Sequence, residues 1–199
     1  GSSAQIAFTK DLDDIRARPI ATLGEALAAE PGVLVQQSTY GQVSPFLRGL
    51  TGYQVLNLVD GIRFNNSTFR SGPTQYLAFL EPNQARRVEA LLGPTGVQYG
   101  SDSLGGTINV ITSQPEFYSG GGRRAMHGDF FAGGASADLS TVGSGRVSAA
   151  GEKVFWLIGA SGRKHNDLRS GGGYDSRNVF HRFFAMPLAD VRDLLGSRQ

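Results

Sequence analysis

The clearest fold signal in the first half of the chain is the stretch Leu104-Gly105-Gly106-Thr107-Ile108-Asn109-Val110-Ile111-Thr112. Its β-branched residues from Thr107 to Thr112 predict a strand. The two glycines before this strand do not follow a strand and open a helix, so they indicate a structural turn and not a phosphate-binding loop. The strand closes a series of short helical and strand signals that together predict a small mixed α/β domain.

The upstream signals of this domain are local and specific. Thr22-Leu23-Gly24-Glu25 has the spacing of a capping box, and Pro31-Gly32 stops the short helix that it opens. Asp60-Gly61 between two apolar runs predicts a hairpin turn, because glycine adopts positive φ without a steric penalty. Residues 33–35 and 87–92 are predicted as strands, and residues 76–80 as a short helix.

The composition excludes several classes of protein. The chain has 199 residues, 28 glycines, no cysteine and a net charge of +2. The missing cysteine excludes a disulfide framework and a thiolate zinc site, and the small net charge argues against a nucleic-acid partner. No apolar run approaches the roughly 18 residues of a membrane-spanning helix.

The second half of the chain has a different character. Residues 126–139, 146–150 and 154–161 are predicted as glycine-rich strands, with a tight turn at Gly151-Glu152-Lys153. In the last strand Val154, Trp156, Ile158 and Ala160 form one apolar face, and the alternate residues form a mixed one. A strand with one lipid face shows this pattern, and so does an ordinary sandwich strand.

Catalytic signatures are scarce. Ser101-Asp102-Ser103-Leu104-Gly105 narrowly misses the nucleophile-elbow pattern, because serine replaces its first glycine. A hydrolase that uses Ser103, Asp60 and His127 remains an alternative hypothesis. The three histidines are not at metal-ligand spacing, so the sequence predicts no catalytic residue, no metal site and no cofactor.

Several phrases of the first half, taken in order, carry a stronger signal. They are Leu23-Gly24-Glu25-Ala26-Leu27 through Glu30-Pro31-Gly32-Val33, Phe46-Leu47-Arg48-Gly49-Leu50, Val59-Asp60-Gly61-Ile62-Arg63, Arg87-Val88-Glu89, Gly93-Pro94 through Tyr99-Gly100, and Leu104 through Thr112. In this order and spacing they resemble the plug domain of TonB-dependent outer-membrane receptors, over about residues 6–116.

The resemblance implies a function in transport. Such receptors bind scarce solutes, such as ferric siderophores or cobalamin, on the outer face of the bacterial outer membrane. The plug closes the receptor's β-barrel, and TonB, which is powered by the proton gradient, grasps an N-terminal box and remodels the plug. Transport of this kind is binding and gating, so we expect no enzymatic activity. The expected partners are TonB, a small-molecule chelate, and the outer membrane through the rest of the barrel.

The resemblance also implies a domain organisation. Residues 1–116 are expected to be the plug, with a tag remnant at residues 1–3, and residues 117–125 a glycine-rich linker. Residues 126–166 are expected to be the first barrel strands, and residues 167–199 an extracellular loop. The expected fold class is α+β, with a mixed-sheet plug and short helices followed by antiparallel strands of an incomplete transmembrane β-barrel.

Two sets of functional residues follow from the resemblance. Arg48 matches the arginine that latches the plug to the barrel, and Arg87 is expected to replace a second arginine whose usual position holds Leu92. The outward loops are expected to contact the ligand, because aromatic rings cover apolar surfaces and arginine pairs with anionic chelates. The expected ligand-binding residues are Tyr53, Arg63, Asn65, Asn66, Phe69 and Arg70.

Two further expectations concern partners. No TonB box is visible in Gly1 to Gln5, so TonB is expected to bind a segment that this chain does not include. The unpaired strand edges of residues 126–164 predict self-association through an intermolecular sheet. The main alternative to a transporter is a soluble plug-like domain that binds a ligand or partner without a barrel.

Overall fold

The computed structural model of the chain describes residues 6–18, 20–68, 72–114, 125–136, 138–151 and 154–166. Within these residues the strands are, in chain order, β1 (Ile6–Asp11), β2 (Val33–Thr39), β3 (Gln42–Leu47), β4 (Val55–Val59), β5 (Ile62–Arg63), β6 (Ala85–Leu92), β7 (Gly106–Thr112), β8 (Ala125–Ala135), β9 (Ser140–Ala150) and β10 (Phe155–Lys164). The α-helices are α1 (Leu12–Arg16) and α2 (Gly96–Tyr99), and the 3₁₀ helices are Leu23–Leu27, Gly52–Gln54, Tyr76–Phe79 and Pro82–Gln84.

The first part of the chain, residues 6–114, is built on a mixed sheet of five strands in the order β1-β6-β7-β4-β5. Strands β4 and β7 are parallel, and the other neighbours are antiparallel. We call this part the N-terminal domain. The predicted strands at 87–92 and 107–112 are therefore confirmed, as β6 and β7.

The local turn and cap predictions are also confirmed. Thr22 and Glu25 form a reciprocal capping box at the start of the 3₁₀ helix Leu23–Leu27. The Asp60-Gly61 turn has φ of 51° and 80°, as a tight antiparallel hairpin requires. The capping box and the hairpin turn each depend on residues that are close in sequence, so the local sequence pattern is sufficient to predict them.

The core of the N-terminal domain lies between the five-stranded sheet and the short helices. Burial of its apolar side chains away from water holds the sheet and the short helices together. The fully buried side chains include Ile15, Leu23, Leu27, Leu47, Leu77, Val88, Leu92 and Ile108.

A separate hairpin, formed by β2 and β3, was only half expected. The sequence predicted a strand at 33–35 and none at 42–47, yet β3 pairs with β2 from Val33 opposite Leu47 onwards. Pro45 lies within β3, where it cannot donate a ladder hydrogen bond. A two-stranded sheet tolerates this proline because each of its strands has an unpaired edge.

The strands β8, β9 and β10 form a second, antiparallel sheet in the order β10-β9-β8, which we call the strand sheet. The predicted fold class, a mixed sheet with short helices followed by antiparallel strands, is confirmed. The bounds of two strands differ from the predicted ones. Strand β8 ends at Ala135 and not at Leu139, and β9 begins at Ser140 and not at residue 146. A turn intervenes, in which Leu139 has a φ of 53° and Asp138 accepts a hydrogen bond from the Ser140 amide.

Parts of the predicted organisation lie outside the described residues. These are the linker at 117–125 except Ala125, which begins β8, the loop at 167–199, and Glu152 and Lys153 of the predicted turn. The ends of that turn are described, and the Gly151 amide donates to the Val154 carbonyl at 2.8 Å. No helix among the described residues is long and apolar enough to cross a membrane.

Candidate functional site

One end of the five-stranded sheet gathers several loops. Strands β4 and β7 are parallel, so the segments that precede them meet at the same sheet edge. There the Gly105 amide donates to the Gln54 carbonyl at 2.7 Å. This bond brings Tyr53, which is 43% exposed, beside Leu104, which is 53% exposed. The result is an apolar surface at the end of the domain.

The loop between α2 and β7 extends this surface. Tyr99 on α2 is 44% exposed, and Arg63 of β5 forms an ion pair with Asp102 in the loop. Tyr53 and Arg63 are among the predicted ligand-binding residues, whereas Tyr99, Asp102 and Leu104 are not, and a ligand role for Tyr53 and Arg63 stays a prediction. Tyr99, Asp102 and Leu104 lie in the segment that leads into β7, which is parallel to β4. Only the sheet topology shows that this segment lies near Tyr53. We call Tyr53, Arg63, Tyr99, Asp102 and Leu104 the apical surface.

Three buried hydroxyl groups hold the loop behind the apical surface. Thr95, Ser103 and Thr107 are each at most 1% exposed. The Thr107 hydroxyl lies 2.7 Å from that of Thr95 and 2.6 Å from that of Ser103, and Thr95 and Ser103 also bond to each other. Each buried hydroxyl thus has polar partners, which removes the cost of burying it.

The hydrolase hypothesis is wrong in this structure. Ser103 precedes β7, whereas the Asp60 carboxylate bonds to the amide and hydroxyl of Thr112 at the opposite end of that strand. The seven residues of β7 span six steps of about 3.3 Å each, so its two ends lie about 20 Å apart. Ser103 and Asp60 therefore cannot belong to one triad with His127.

Asn65, one of the predicted ligand-binding residues, has a buried side chain that binds the backbone of β4, so its contact with a ligand stays a prediction. The residue is 9% exposed. Its Oδ1 accepts from the Asn57 amide at 2.7 Å, and its Nδ2 donates to the Val55 carbonyl at 2.9 Å. The amide side chain replaces a strand partner for the backbone of β4, a role that the sequence pattern did not show.

The other predicted ligand residues lie in or near the loop after β5. Asn66 is exposed, and its backbone amide and carbonyl both bond to the hydroxyl of buried Tyr76. Its side chain accepts a hydrogen bond from the Thr68 amide at 3.0 Å. Phe69 and Arg70 lie outside the described residues.

The two predicted latch arginines make contacts within the N-terminal domain. Arg48 has a φ of 51°, and its guanidinium covers Gly93, where a Cβ would lie 3.1 Å from Nη1. Arg87 Nε donates to Glu89 on the same strand at 2.7 Å. Neither contact reaches the strand sheet, so a latch role for these two residues stays a prediction.

Other charged groups join the N-terminal domain to the strand sheet. Arg16 of α1 pairs with Asp129 of β8, with one bond at 3.1 Å, and its guanidinium lies 5.0 Å from the centre of the Phe131 ring. Arg163 of β10 bonds to Glu81 at 2.6 Å and to the Ala21 carbonyl. We call these two contacts the Arg16–Asp129 and Arg163–Glu81 bridges.

The bridges identify the face of the strand sheet that carries the N-terminal domain. Asp129 lies opposite Arg146, and Arg146 opposite Gly159, so these residues share a face with Arg163. Arg146 also bonds to Ser113 at the end of the N-terminal domain. Cavities of about 260 and 360 Å³ lie between the two parts, and Arg146 lines both.

The opposite face of the strand sheet is apolar. Its large side chains keep a high exposed fraction because no other part of the described chain covers them. They are Met126 at 70%, Phe130 at 78%, Trp156 at 44% and Ile158 at 68%. The apolar face predicted through Val154, Trp156, Ile158 and Ala160 is therefore the one that points away from the N-terminal domain.

Among the described residues, no group of histidine, aspartate and glutamate side chains could hold a metal ion. One carboxyl group in the N-terminal domain has a raised pKa, that of Glu25, because burial penalises its charged form. Hydrogen bonds from the Thr22 and Ala21 amides act in the opposite direction and offset part of this effect. Glu25 thus serves the capping box.

Comparison with known proteins gives a family match and several relatives. The sequence pattern of the family described as TonB-dependent Receptor Plug Domain matches residues 2–107. A vitamin B12 transporter from Photobacterium profundum is 30% identical over 183 residues, covering 87% of this chain and 28% of the relative. Another, from Vibrio vulnificus, is 34% identical over 125 residues, which is 60% of this chain and 19% of the relative. The chain thus spans less than a third of either relative.

Solved structures show the same fold. The copper transporter OprC superposes with a TM-score of 0.69 at 16% identity, covering 87% of this chain and 26% of OprC. The pyoverdine receptor FpvA from Pseudomonas aeruginosa superposes with a TM-score of 0.61 at 21% identity, covering 81% of this chain and 22% of FpvA. At these identities the likeness concerns the fold alone.

Proposed function

Because the chain belongs to the TonB-dependent receptor plug domain family, we propose that it forms the plug and first wall strands of a bacterial outer-membrane uptake receptor. In this proposal residues 6–114 are the plug, and β8–β10 begin the surrounding barrel. The receptor binds a scarce solute outside, and work delivered by TonB moves the plug. The activity is binding and gating, without covalent chemistry.

The observation that carries this proposal is the two-sidedness of the strand sheet. One face holds the plug through the Arg16–Asp129 and Arg163–Glu81 bridges, and the other exposes large apolar side chains. The strands have 11, 11 and 10 residues, the length at which a tilted strand crosses a bilayer. A polar inner face and an apolar outer face are what a barrel wall requires.

The unpaired edges of the strand sheet support the proposal that further strands extend it into a barrel. Within the described residues β8 and β10 each have one unpaired edge, and unpaired backbone groups are not tolerated in lipid. In the proposed receptor, further strands of the same chain pair with these edges. Self-association through the same edges stays a prediction for the isolated chain.

The apical surface is proposed to contact the solute. It lies at the end of the plug opposite Thr112, beyond which the chain leads to β8, so it is proposed to face outward. Exposed Tyr53, Tyr99 and Leu104 supply apolar contact area, and the Arg63–Asp102 ion pair supplies polar groups at the edge. The ligand class is a large chelate, a cobalamin or a ferric siderophore. Two relatives named vitamin B12 transporters make cyanocobalamin the first probe.

Removing the apical surface is expected to weaken binding. In a receptor that contains this chain, Tyr53→Ala with Leu104→Ala is expected to raise the Kd for cyanocobalamin about 10- to 100-fold, since buried interface aromatics often contribute 1–2 kcal/mol or more. Titration calorimetry measures the change, and a ferric catecholate siderophore is the second probe. Ile62→Ala, 74% exposed beside the Asp60-Gly61 turn, is the control. Equal affinity of the double variant and the control would overturn the assignment.

TonB and the outer membrane are the partners that this proposal requires. TonB is proposed to bind a segment on the N-terminal side of β1, an edge strand of the five-stranded sheet that pairs with β6 alone. An edge strand is released by breaking one ladder of hydrogen bonds, so a pull on this end would open the plug from its edge.

A further inference from the structure

One residue of β6 departs from the regular register of the five-stranded sheet. Ala85 lies opposite Thr112 and Arg87 lies opposite Ile111, so Arg86 is the extra residue of a β-bulge. A bulge turns a side chain out of the ordinary alternation of its strand, here at the end of the sheet where the chain leaves β7. Among the described residues no carboxylate pairs with Arg86, and its side chain lines a cavity.

This cavity has a volume of about 360 Å³ and lies between the N-terminal domain and the strand sheet. We call it the Arg86 cavity. Pockets that hold small molecules begin at about 300 Å³, so it has room for a ligand. The N-terminal domain lines it with Arg86, Ser113 and Gln114, and one face of the strand sheet lines it with His127, Asp129, Arg146, Ser148 and Leu157.

The acidic side chain of this lining already has a partner. Both carboxylate oxygens of Asp129 accept hydrogen bonds from the Arg16 guanidinium, one of them at 3.1 Å. Arg146 Nε lies 3.8 Å from Asp129 Oδ1, which is too far for a hydrogen bond. Among the described residues that line the cavity, Asp129 is the one acidic side chain, so Arg86 and Arg146 give its surface an excess of positive charge.

Neutral hydrogen-bond donors accompany the two arginines. Arg146 Nη1 donates to the Ser113 hydroxyl, which leaves the proton of that hydroxyl for another acceptor. The hydroxyl of Ser148, the side-chain amide of Gln114 and the imidazole of His127 line the same cavity. A guanidinium group binds an oxyanion through two parallel N–H bonds, and hydroxyl or amide donors can bind its other oxygens. The chemistry of the lining is therefore that of an oxyanion site.

We propose that the Arg86 cavity binds a small oxyanion of the phosphate class, which bridges Arg86 of the plug and Arg146 of the strand sheet. The oxyanion comes from a dissolved small molecule and not from a lipid headgroup, because the cavity lies on the face of the strand sheet opposite exposed Met126 and Ile158. Bound there, it joins the two parts by pairing with both guanidinium groups. This role is independent of the solute that the apical surface contacts.

Phosphorus NMR of inorganic phosphate with the full chain in maltoside micelles tests the site, at constant pH and at an ionic strength held constant with chloride. The wild-type chain is expected to broaden the phosphate signal in a saturable manner. Arg86→Gln and Arg146→Gln are each expected to raise the Kd for phosphate about tenfold or more, since each removes charge-assisted hydrogen bonds. Arg18→Gln removes the same charge at an exposed position outside the lining, so this control is expected to keep the wild-type Kd.

Hydrogen exchange of the Ser113 amide tests whether the oxyanion joins the two parts. This amide donates to the Gln84 carbonyl at 3.0 Å, beside the cavity. Its protection is expected to rise about tenfold at a phosphate concentration ten times the Kd, since the ligand binds only the closed form. Phosphate binding that leaves this protection unchanged would contradict the bridging role.

Two further outcomes would overturn the proposal. Equal Kd values for phosphate in Arg86→Gln and Arg18→Gln would show that the chain attracts phosphate only through its overall charge. Binding of dihexanoyl phosphatidylglycerol but not of inorganic phosphate would assign the cavity to a lipid headgroup. Because Arg86 is an exposed bulge residue, its glutamine variant is expected to fold, and it decides the matter alone if Arg146→Gln does not fold.

Discussion

Replacing Gly106 with valine is expected to abolish the folded plug. Gly106 has a φ of 153°, which side chains rarely adopt, and a Cβ there would lie 2.2 Å from the Leu91 carbonyl oxygen and 2.7 Å from Leu47 Cδ1. The backbone cannot move away, because Gly106 pairs with β6 on one side and with β4 on the other. The cost is expected to exceed about 4 kcal/mol, a large part of the 5–15 kcal/mol that stabilises a typical domain.

Hydrogen exchange of β7 and limited proteolysis of the full chain measure this loss. The matched control is Gly96→Ala in α2, where a Cβ meets nothing within 4 Å and φ is ordinary. Its effect is expected to stay within about 0.5 kcal/mol. Native protection of β7 in Gly106→Val would show that the close approach of the backbones does not determine the fold.

A second large effect is expected for Asn65→Ala. The substitution leaves the buried Asn57 backbone amide without its partner, which costs about 1–3 kcal/mol, and it removes one of the two side-chain hydrogen bonds to the Val55 carbonyl, which costs about 1 kcal/mol more. We therefore expect a loss of about 2–4 kcal/mol in the free energy of unfolding. Pulse proteolysis across a urea series measures it through the midpoint.

The neighbouring asparagine provides the control. Asn66 is exposed, and its side chain accepts from the Thr68 amide alone among the described residues, so Asn66→Ala is expected to cost less than about 1 kcal/mol. Equal midpoints for the two variants would refute the structural role of Asn65. A weaker ligand affinity in Asn65→Ala is then an indirect effect of a loosened loop.

The features that the sequence predicted correctly depend on nearby residues. The capping box needs only Thr22 and Glu25, and the hairpin turn needs only Asp60 and Gly61. The strand from Thr107 to Thr112 follows from its β-branched side chains. Each of these patterns contains all of its physical cause within a few residues, so no knowledge of the tertiary fold is needed to see it.

The features that it could not predict depend on distant partners. Asn65 and Asn66 are identical in type and adjacent, and only the position of β4 decides that one is buried. Arg16 and Asp129 are 113 positions apart, and nothing local marks either as a bridge. Pro45 obscured β3, because a proline argues against a strand unless a free edge is available.

The predicted latch residues show a further limit of prediction from sequence. The resemblance points to Arg48 and Arg87, yet the described contacts between the plug and the strand sheet include those of Arg16, Glu81, Ser113 and Tyr40. A family pattern transfers a backbone position reliably. It does not transfer which side chain of this chain reaches across a boundary, because that depends on the particular charges on both surfaces.

The plug is proposed to lie against the polar face of strands β8–β10, whose apolar face is proposed to meet lipid. Cross-linking tests this arrangement directly, because the chain has no cysteine of its own. With a short bifunctional maleimide, Glu81→Cys paired with Arg163→Cys is expected to cross-link rapidly, since the native side chains lie 2.6 Å apart and the Arg16–Asp129 bridge still holds the plug. Glu81→Cys paired with Ile158→Cys, on the apolar face, is expected to give almost no product. Equal yields from the two pairs, or none from the first, would contradict the account.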